Sequence, residues 1–371
     1  MNTISEIGFI GFGLIGGSIA KALKQDSNAF HIIVFDHHKD QKSPGLLAAK
    51  ADGVIDEITS DLNDFTVCDM ILLCAPVLTN LDYLKQLTNV VLKKDCILTD
   101  VGSVKGSIHH FAQECGFSSY FIGGHPMAGS EKTGYAHACA TLLENAYYIL
   151  TPTEYVSNEK LETMISFVKR LHALPIILDA KEHDNITAAI SHVPHIIAAQ
   201  LVNLIRTDST RTEQMKLLAA GGFKDITRIA SSSPVMWQNI CLTNTESICM
   251  MLEQYIHLLN HSLTVLKEKN EKELYDMFYL AGEYRSQIPN RFMGIITPIY
   301  ETYLDITDEP GAIASIATLL GSNSLSIKNI GIVHNREFEQ GVLRIEFYDE
   351  ESLMGAIRIL KGKNYTIYER Q

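Results

Sequence analysis

Ile7-Gly8-Phe9-Ile10-Gly11-Phe12-Gly13-Leu14-Ile15-Gly16-Gly17-Ser18 decides the fold. The apolar start predicts a buried strand, the glycines a tight turn, and the residues from Leu14 a helix. Gly11, Gly13 and Gly16 stand at G-x-G-x-x-G spacing. In a dinucleotide-binding turn the first glycine permits the bend out of the strand. The second lets a pyrophosphate reach the backbone, and the third lets helix and strand pack closely. N–H groups of Leu14, Ile15 and Gly16, at the positive end of the helix, then face the phosphates. A plain glycine turn would satisfy the triplet alone, but the context extends it. A second apolar run, Ile32-Ile33-Val34-Phe35, ends in Asp36, about 20 residues past the last glycine, where a carboxylate holds a ribose 2′-hydroxyl. His37 and His38 follow, with no Arg or Lys before Lys39. A carboxylate repels a 2′-phosphate, so NAD is expected over NADP.

The 371 residues suggest two or three domains, and 46% hydrophobic residues suffice for full cores. A net charge of −12 argues against nucleic acid or an anionic membrane as partner. No run reads as long and apolar enough to span a bilayer. The chain enters its first strand without a signal-peptide pattern. Seven cysteines are scattered without metal-like spacing, so reduced thiols and a cytoplasmic location are expected.

Apolar strands continue to alternate with helical patterns. Asp69 to Cys74 runs into Ala75-Pro76, and a helix is expected from Leu78 to Leu92. Cys96 to Asp100 runs into Val101-Gly102-Ser103-Val104-Lys105, and Tyr120 to Gly124 into His125-Pro126. Tyr147 to Leu150 and Pro175 to Leu178 follow. This is the rhythm of an α/β protein with a parallel, doubly wound Rossmann sheet over residues 1–180, with its ligands beyond the carboxyl ends of the strands. From 181 to 292 the pattern is almost wholly helical. A helix from Glu182 to Ile205 should kink at Pro194. Ser233-Pro234 reads as N-cap and first helical residue. A helix from Thr245 to Glu268 is apolar on several faces, which calls for burial within the monomer or a subunit interface, giving a homodimer. Residues 297–371 read β-α-β-β-α-β, the order of a ferredoxin-like sandwich.

Several side chains could carry chemistry. His125, at a strand end, suits a general base for an alcohol being oxidised. It could equally bond a loop carbonyl. Ser103 could orient the same hydroxyl, or cap a turn. On the kinked helix, Asp184, Ala188, Ser191 and His195 share one face. His183 and His195 read as polar lining of a substrate cleft, while His192 could equally be structural. No metal signature is present. Arg228 has apolar neighbours and reads as partly buried, either in a structural ion pair or holding a substrate carboxylate.

These motifs together resemble a known family. They are Gly-Phe-Gly-Leu-Ile-Gly-Gly-Ser (11–18), Asp-Val-Gly-Ser-Val-Lys (100–105) and Gly-Gly-His-Pro-Met-Ala-Gly-Ser-Glu-Lys (123–132). To them belong Ser-His-Val-Pro-His (191–195), Gly-Gly-Phe-Lys-Asp-Ile-Thr-Arg-Ile-Ala (221–230) and Pro-Val-Met-Trp (234–237). The set resembles the prephenate dehydrogenases of tyrosine biosynthesis. The resemblance implies oxidative decarboxylation of prephenate to 4-hydroxyphenylpyruvate with NAD. It implies His125 and Ser103 at the reacting hydroxyl, and Arg228, His183, His195, Ser130, Glu131 and Gly221 around the substrate. Gly11, Gly13, Leu14, Ile15, Gly16, Asp36, Ala75, Pro76 and Ser103 would border the cofactor. Ser130 stands where the family often has Thr, which keeps a hydroxyl. The tail resembles an ACT regulatory module through Asp-Glu-Pro-Gly-Ala-Ile (308–313). That implies L-tyrosine as effector, held near Asp308, Gly311, Ala312 and Ile313. Arogenate dehydrogenase is the alternative, since no residue decides between the two substrates. A β-hydroxyacid dehydrogenase would rely on a helical-domain lysine rather than on His125. A nucleotide-sensing module would need neither His125 nor Arg228.

Overall fold

The computed structural model describes residues 4–26, 30–37, 43–129, 132–207, 211–288, 300–306, 309–333, 341–363 and 365–368. The chain divides into two units, residues 1–292 and 293–371.

Eight strands form the sheet of the first unit. They are β1 (Glu6–Ile10), β2 (His31–Phe35), β3 (Glu57–Thr59), β4 (Met70–Leu73), β5 (Ile97–Asp100), β6 (Phe121–Pro126), β7 (Tyr147–Pro152) and β8 (Leu174–Ile177). Their order is β3-β2-β1-β4-β5-β6-β7-β8. Five helices serve the sheet: α1 (Leu14–Asp26), α2 (Pro44–Ala51), α3 (Val77–Leu87), α4 (Gly106–Glu114) and α5 (Asn158–Arg170). The order reverses between β1 and β4, which opens a crevice at their carboxyl ends. Both faces are covered. Phe9, Ile19, Leu23, Val34 and Phe167 pack on one side, and Ile10, Phe65, Leu73, Leu84 and Phe121 on the other. Burial on both faces is why these strands read as unbroken apolar runs.

One expectation about the sheet needs correction. The sheet is not wholly parallel, because β7 runs antiparallel to β6, with His125 opposite Ile149. Between them, the described residues hold only a short 3₁₀ turn (Tyr135–His137) and no crossover helix. A strand returning without a crossover pairs antiparallel. This excursion lies on α1. A Cβ at Gly17 would stand 2.8 Å from the Tyr135 ring and 2.9 Å from the Ala138 methyl. Lys21 Nζ donates to the Ala138 carbonyl at 2.9 Å, and the Cys139 N–H donates to Ser18 Oγ at 3.0 Å. Edge strand β3 has no counterpart in the sequence reading, since its three residues are too few to show a period.

The helical part of this unit comprises α6 (Ala180–Thr187), α7 (Val193–Thr207), α8 (Thr212–Leu218), α9 (Gly221–Thr227), α10 (Pro234–Thr243), α11 (Thr245–Glu268) and α12 (Glu271–Gln287). The Pro194 disturbance takes the form of a π turn, Ala188–His192, between α6 and α7, with the Val193 N–H reaching back to the Ala188 carbonyl. The wider turn rotates the following residues, so His192, not Ser191, is buried alongside Asp184 and Ala188. By length and apolarity alone, Ala180–Thr207 could cross a bilayer, with a mean hydropathy of 1.4, contrary to the sequence expectation. Its polar residues His183, Asp184, Thr187 and His192 are buried inside the protein. Ser233 caps α10, with Pro234 first in the helix. Helices α11 and α12 expose Leu258, Leu259, Leu263, Phe278, Leu280 and Tyr284.

In the second unit, β9 (Tyr300–Ile306), α13 (Ala312–Ser322), β10 (Ile327–Val333), β11 (Gly341–Phe347), α14 (Glu350–Gly362) and β12 (Ile367–Tyr368) follow one another. The strands form an antiparallel sheet in the order β10-β11-β9-β12. Leu304, Leu343, Ile345 and Phe347 pack against Ile316, Leu320, Ala356 and Leu360 of the helices.

Gly11 has φ +85°, and a Cβ there would lie 2.6 Å from the Ala75 amide nitrogen, whereas a Cβ at Gly13 would meet nothing within 4 Å. Gly11→Ala should therefore cost about 1–3 kcal/mol from the backbone alone, with the clash in addition. Gly13→Ala should leave stability within about 0.5 kcal/mol. Denaturant unfolding of the two variants checks the contrast.

Candidate active site

The site begins with two buried groups at the end of β5. Asp100 accepts N–H bonds from Gly102 at 2.8 Å and Gly124 at 3.2 Å, and pairs with the Lys105 ammonium. Both side chains are fully buried. Lys105 also donates to the Gly124 carbonyl at 2.6 Å. Burial lowers the Lys105 pKa against the pull of Asp100. A buried ammonium persists only where such partners surround it. The pair fixes β6 beside β5. A Cβ on Gly124 would lie 2.5 Å from the Asp100 carbonyl, so only glycine lets the strands approach this closely. His125 follows at the strand end, partly buried.

From α6, Asp184 presents its carboxylate to the start of α4. It accepts the N–H groups of Lys105 at 2.8 Å and Gly106 at 2.7 Å, and lies 2.8 Å from His183 Nδ1. His183 Nε2 lies 2.8 Å from His125 Nδ1. Proton positions follow from chemistry. Burial works to raise the Asp184 pKa, but the bonds from His183, Lys105 and Gly106 hold it below its ordinary value, so it is ionised and only accepts. His183 Nδ1 therefore carries a proton and Nε2 accepts one. His125 Nδ1 then donates, and its Nε2 lone pair, which has no partner among the described residues, can face a substrate. Burial above all keeps His125 well below the usual histidine range, hence neutral, and its neighbours His183, Lys105 and His192 act in the same direction. This is the arrangement of an oriented general base. His183 is thus not cleft lining, as expected from sequence. It is fully buried behind His125, drawn in by Asp184.

His195 Nδ1 donates to the Ser191 carbonyl at 2.9 Å, and its ring stacks on Trp237 with centroids 3.8 Å apart. Burial lowers its pKa, and the nearby Arg228 charge adds to this. Arg228 itself is exposed rather than partly buried, because it follows α9, whose Ile226 is also exposed. Gly221 opens α9. Ser103 is partly buried in the turn between Asp100 and Lys105. Ser130, Glu131 and Asp308 lie outside the described residues.

On the nucleotide side, Gly13 faces open space, while a Cβ on Gly16 would lie 3.1 Å from the Gly11 carbonyl and 3.3 Å from Cys74 Cβ. The three glycines thus fit the bend, the approach and the packing expected of them, ahead of α1, where Leu14 and Ile15 begin the helix. Asp36 is buried at the end of β2 and accepts the Ser43 N–H at 3.0 Å. The Ala75-Pro76 turn is held by buried Asn80, which accepts the Ala75 N–H at 3.2 Å and donates to the Ala75 carbonyl at 2.9 Å. Phe12 stacks on Tyr135, whose hydroxyl donates to Asp52 at 2.7 Å. This open, glycine-lined helix start with an acid at the next strand end fits a dinucleotide. Sequence reasoning passed over Asp100, Lys105 and Asn80 as actors. A lysine between Val104 and Gly106 in a strand-end turn was the one available signal.

Residues 19–177 match the family model described as prephenate dehydrogenase, nucleotide-binding domain, and residues 179–280 the one described as prephenate dehydrogenase, dimerization domain. A prephenate dehydrogenase of Bacillus subtilis is 36% identical over 354 residues, 95% of this chain and 95% of that protein. The crystal structure of prephenate dehydrogenase from A. aeolicus with hydroxyphenyl propionate and NAD+ superposes with a TM-score of 0.72 at 30% identity, over 78% of this chain and 99% of that one. The Synechocystis arogenate dehydrogenase structure gives 0.68 at 29% identity, over 76% and 100%.

Because its pKa is depressed by folding, Asp184 adds stability above the carboxylate range and loses it as pH falls below 3.8. Asp184→Asn should cost about 1–3 kcal/mol at neutral pH, and the gap to the wild type should close on acidification. Unfolding curves at several pH values measure this.

Proposed function

The chain belongs to the prephenate dehydrogenase family, and from that premise we infer how its crevice works. It is an NAD-dependent oxidoreductase that converts prephenate to 4-hydroxyphenylpyruvate and CO₂. The observation that carries the mechanism is the hydrogen-bonded series Asp184–His183–His125. NAD, held by the turn at Gly11, Gly13 and Gly16 and by Asp36, supplies the hydride acceptor. His125 Nε2 takes the proton of the ring hydroxyl as the carbinol C–H bond breaks. The bond to the ring carboxylate then breaks, its electron pair enters the ring, and CO₂ leaves. The ring becomes aromatic, which makes the step effectively irreversible. The phenolic oxygen recovers a proton from His125, so no net proton is consumed. Ser103 orients the same hydroxyl. Arg228, beside His195, holds a carboxylate of the dianionic substrate.

The arogenate reading has one observation in its favour, the likeness to the Synechocystis enzyme. Comparing turnover of the two substrates decides it. The exposed apolar residues of α11 and α12 form the homodimer interface, consistent with the family's dimerization domain. The seven unpaired thiols accord with a cytoplasmic enzyme. The second unit is a ferredoxin-like ACT module that binds L-tyrosine. Its β-α-β-β-α-β order and the Gly311 turn (φ +95°) ahead of α13 support this.

His125→Asn should lower kcat by about two to four orders of magnitude, with prephenate still bound. In the wild type the acidic limb of kcat/KM should lie below pH 6.5, since burial depresses the His125 pKa. NADH formation across pH measures both. A charge-assisted bond is worth about 1.5–3 kcal/mol, so Arg228→Ala should raise the prephenate KM about tenfold to a hundredfold and spare NAD binding. Equal loss of both ligands would make Arg228 structural.

A chain ending at Asn290 should keep its turnover and lose inhibition by tyrosine, because tyrosine must bind the inhibited state better than the active one. Unchanged inhibition, competitive with prephenate, would assign tyrosine to the catalytic pocket.

A further inference from the structure

His192 is buried beside this network, yet the mechanism above does not use it. Asn244 fixes its tautomer. The Asn244 Nδ2 group donates to the Asp184 carbonyl at 2.8 Å, which identifies that end of the amide as the NH₂. The same Nδ2 lies 3.2 Å from His192 Nδ1. An NH₂ group can only donate, so His192 Nδ1 accepts and its proton sits on Nε2. His192 Nε2 is buried and has no protein partner among the described residues, and the same holds for Trp237 Nε1. The two rings stand edge to face, with centroids 6.0 Å apart, and Trp237 in turn stacks on His195. Two neighbouring N–H groups are thus shielded from water without an acceptor. An unpaired buried donor is costly to a fold, so retaining two together points to an acceptor that arrives with a ligand. Their position, between the His125–His183–Asp184 series and the His195–Arg228 edge, is that of the substrate rather than the nucleotide. His192 is held neutral, its pKa lowered to about 4 by burial, so it offers a hydrogen bond and no charge.

We propose that His192 is a positioning residue whose Nε2–H donates to a carboxylate oxygen of the bound substrate, with Trp237 Nε1–H offered to the same group. This rests on the reading of prephenate as substrate. Two isosteric variants separate the two edges of the ring. His192→Asn retains an acceptor for Asn244 and removes the Nε2 donor. His192→Gln restores an N–H near the Nε2 position and gives up the acceptor. The Asn variant should melt near the wild type, bind NAD normally and raise the prephenate KM about tenfold to a hundredfold, with kcat changed far less. The Gln variant should recover most of that KM while melting lower. A wild-type KM in His192→Asn, or loss of KM only in step with melting temperature, overturns the proposal. Should both variants fail to fold, histidine-nitrogen NMR of the labelled wild type decides. The Nε2-bound proton should shift when prephenate is added in the absence of NAD, and no shift overturns the proposal. Wild-type turnover of prephenate is measured first. Its absence overturns the substrate reading itself, whereas turnover with an unaffected Asn variant overturns this inference alone.

Discussion

A single buried carboxylate holds the catalytic half of the first unit in place. Asp184 accepts two backbone N–H groups at the start of α4 and one imidazole N–H from its own neighbour, His183. Three donors convert a costly buried anion into a stable one. The same bonds dock α6 against the β5–α4 turn, 79 residues away in sequence. Every proton position from His183 to His125 Nε2 follows from that one charge. A few ångströms away the Lys105–Asp100 pair does the corresponding work for β6. Its ammonium touches the carbonyl of Gly124, the residue before His125. His125 is therefore held at its ring by His183 and at its backbone through Gly124.

Charge is distributed sparingly around this centre. His125 and His192 are kept neutral by burial, and His195 is pushed the same way. The formal charge of the whole chain is −12. In the function proposed above, an anionic substrate would meet the exposed Arg228 beside imidazoles kept neutral by burial. Neutral rings would leave the lone pair of the proposed base available and add no competing cation to hold the substrate in a second orientation.

What was legible in the sequence was what depends on near neighbours. Each glycine of the 11–16 turn answers a local requirement, and the structure gives each the same reason: a positive φ, open space, and a tight approach to Cys74. Helix α11 was also legible, from Thr245 to Glu268, because its periodicity and ends lie within one segment. The direction of β7 was not, since the absence of a crossover helix among the described residues after Pro126 leaves only a weak trace in composition. The π turn rotated His192 inward and Ser191 outward, which a constant period of 3.6 cannot show. His183 reads as polar lining of a cleft, because the sequence does not show that Lys105 and Gly106 draw its neighbour Asp184 inward. Arg228 reads as partly buried because its apolar neighbours suggest a core-facing segment, and Ile226 is exposed instead.

The loop excursion before β7 bears on how the chain is made. Helix α1 is synthesised within the first thirty or so residues, yet its Lys21 and Ser18 find their partners at Ala138 and Cys139, 117 and 121 residues later. The surface around Gly17, which admits no side chain once Tyr135 and Ala138 have arrived, stays bare on the growing polypeptide until then. Contacts of such long sequence separation form late, and uncovered apolar surface invites association meanwhile. On the ribosome, the nucleotide half therefore cannot reach its final packing as an independent early piece. Its completion is timed by the same segment that carries the chain onward from His125.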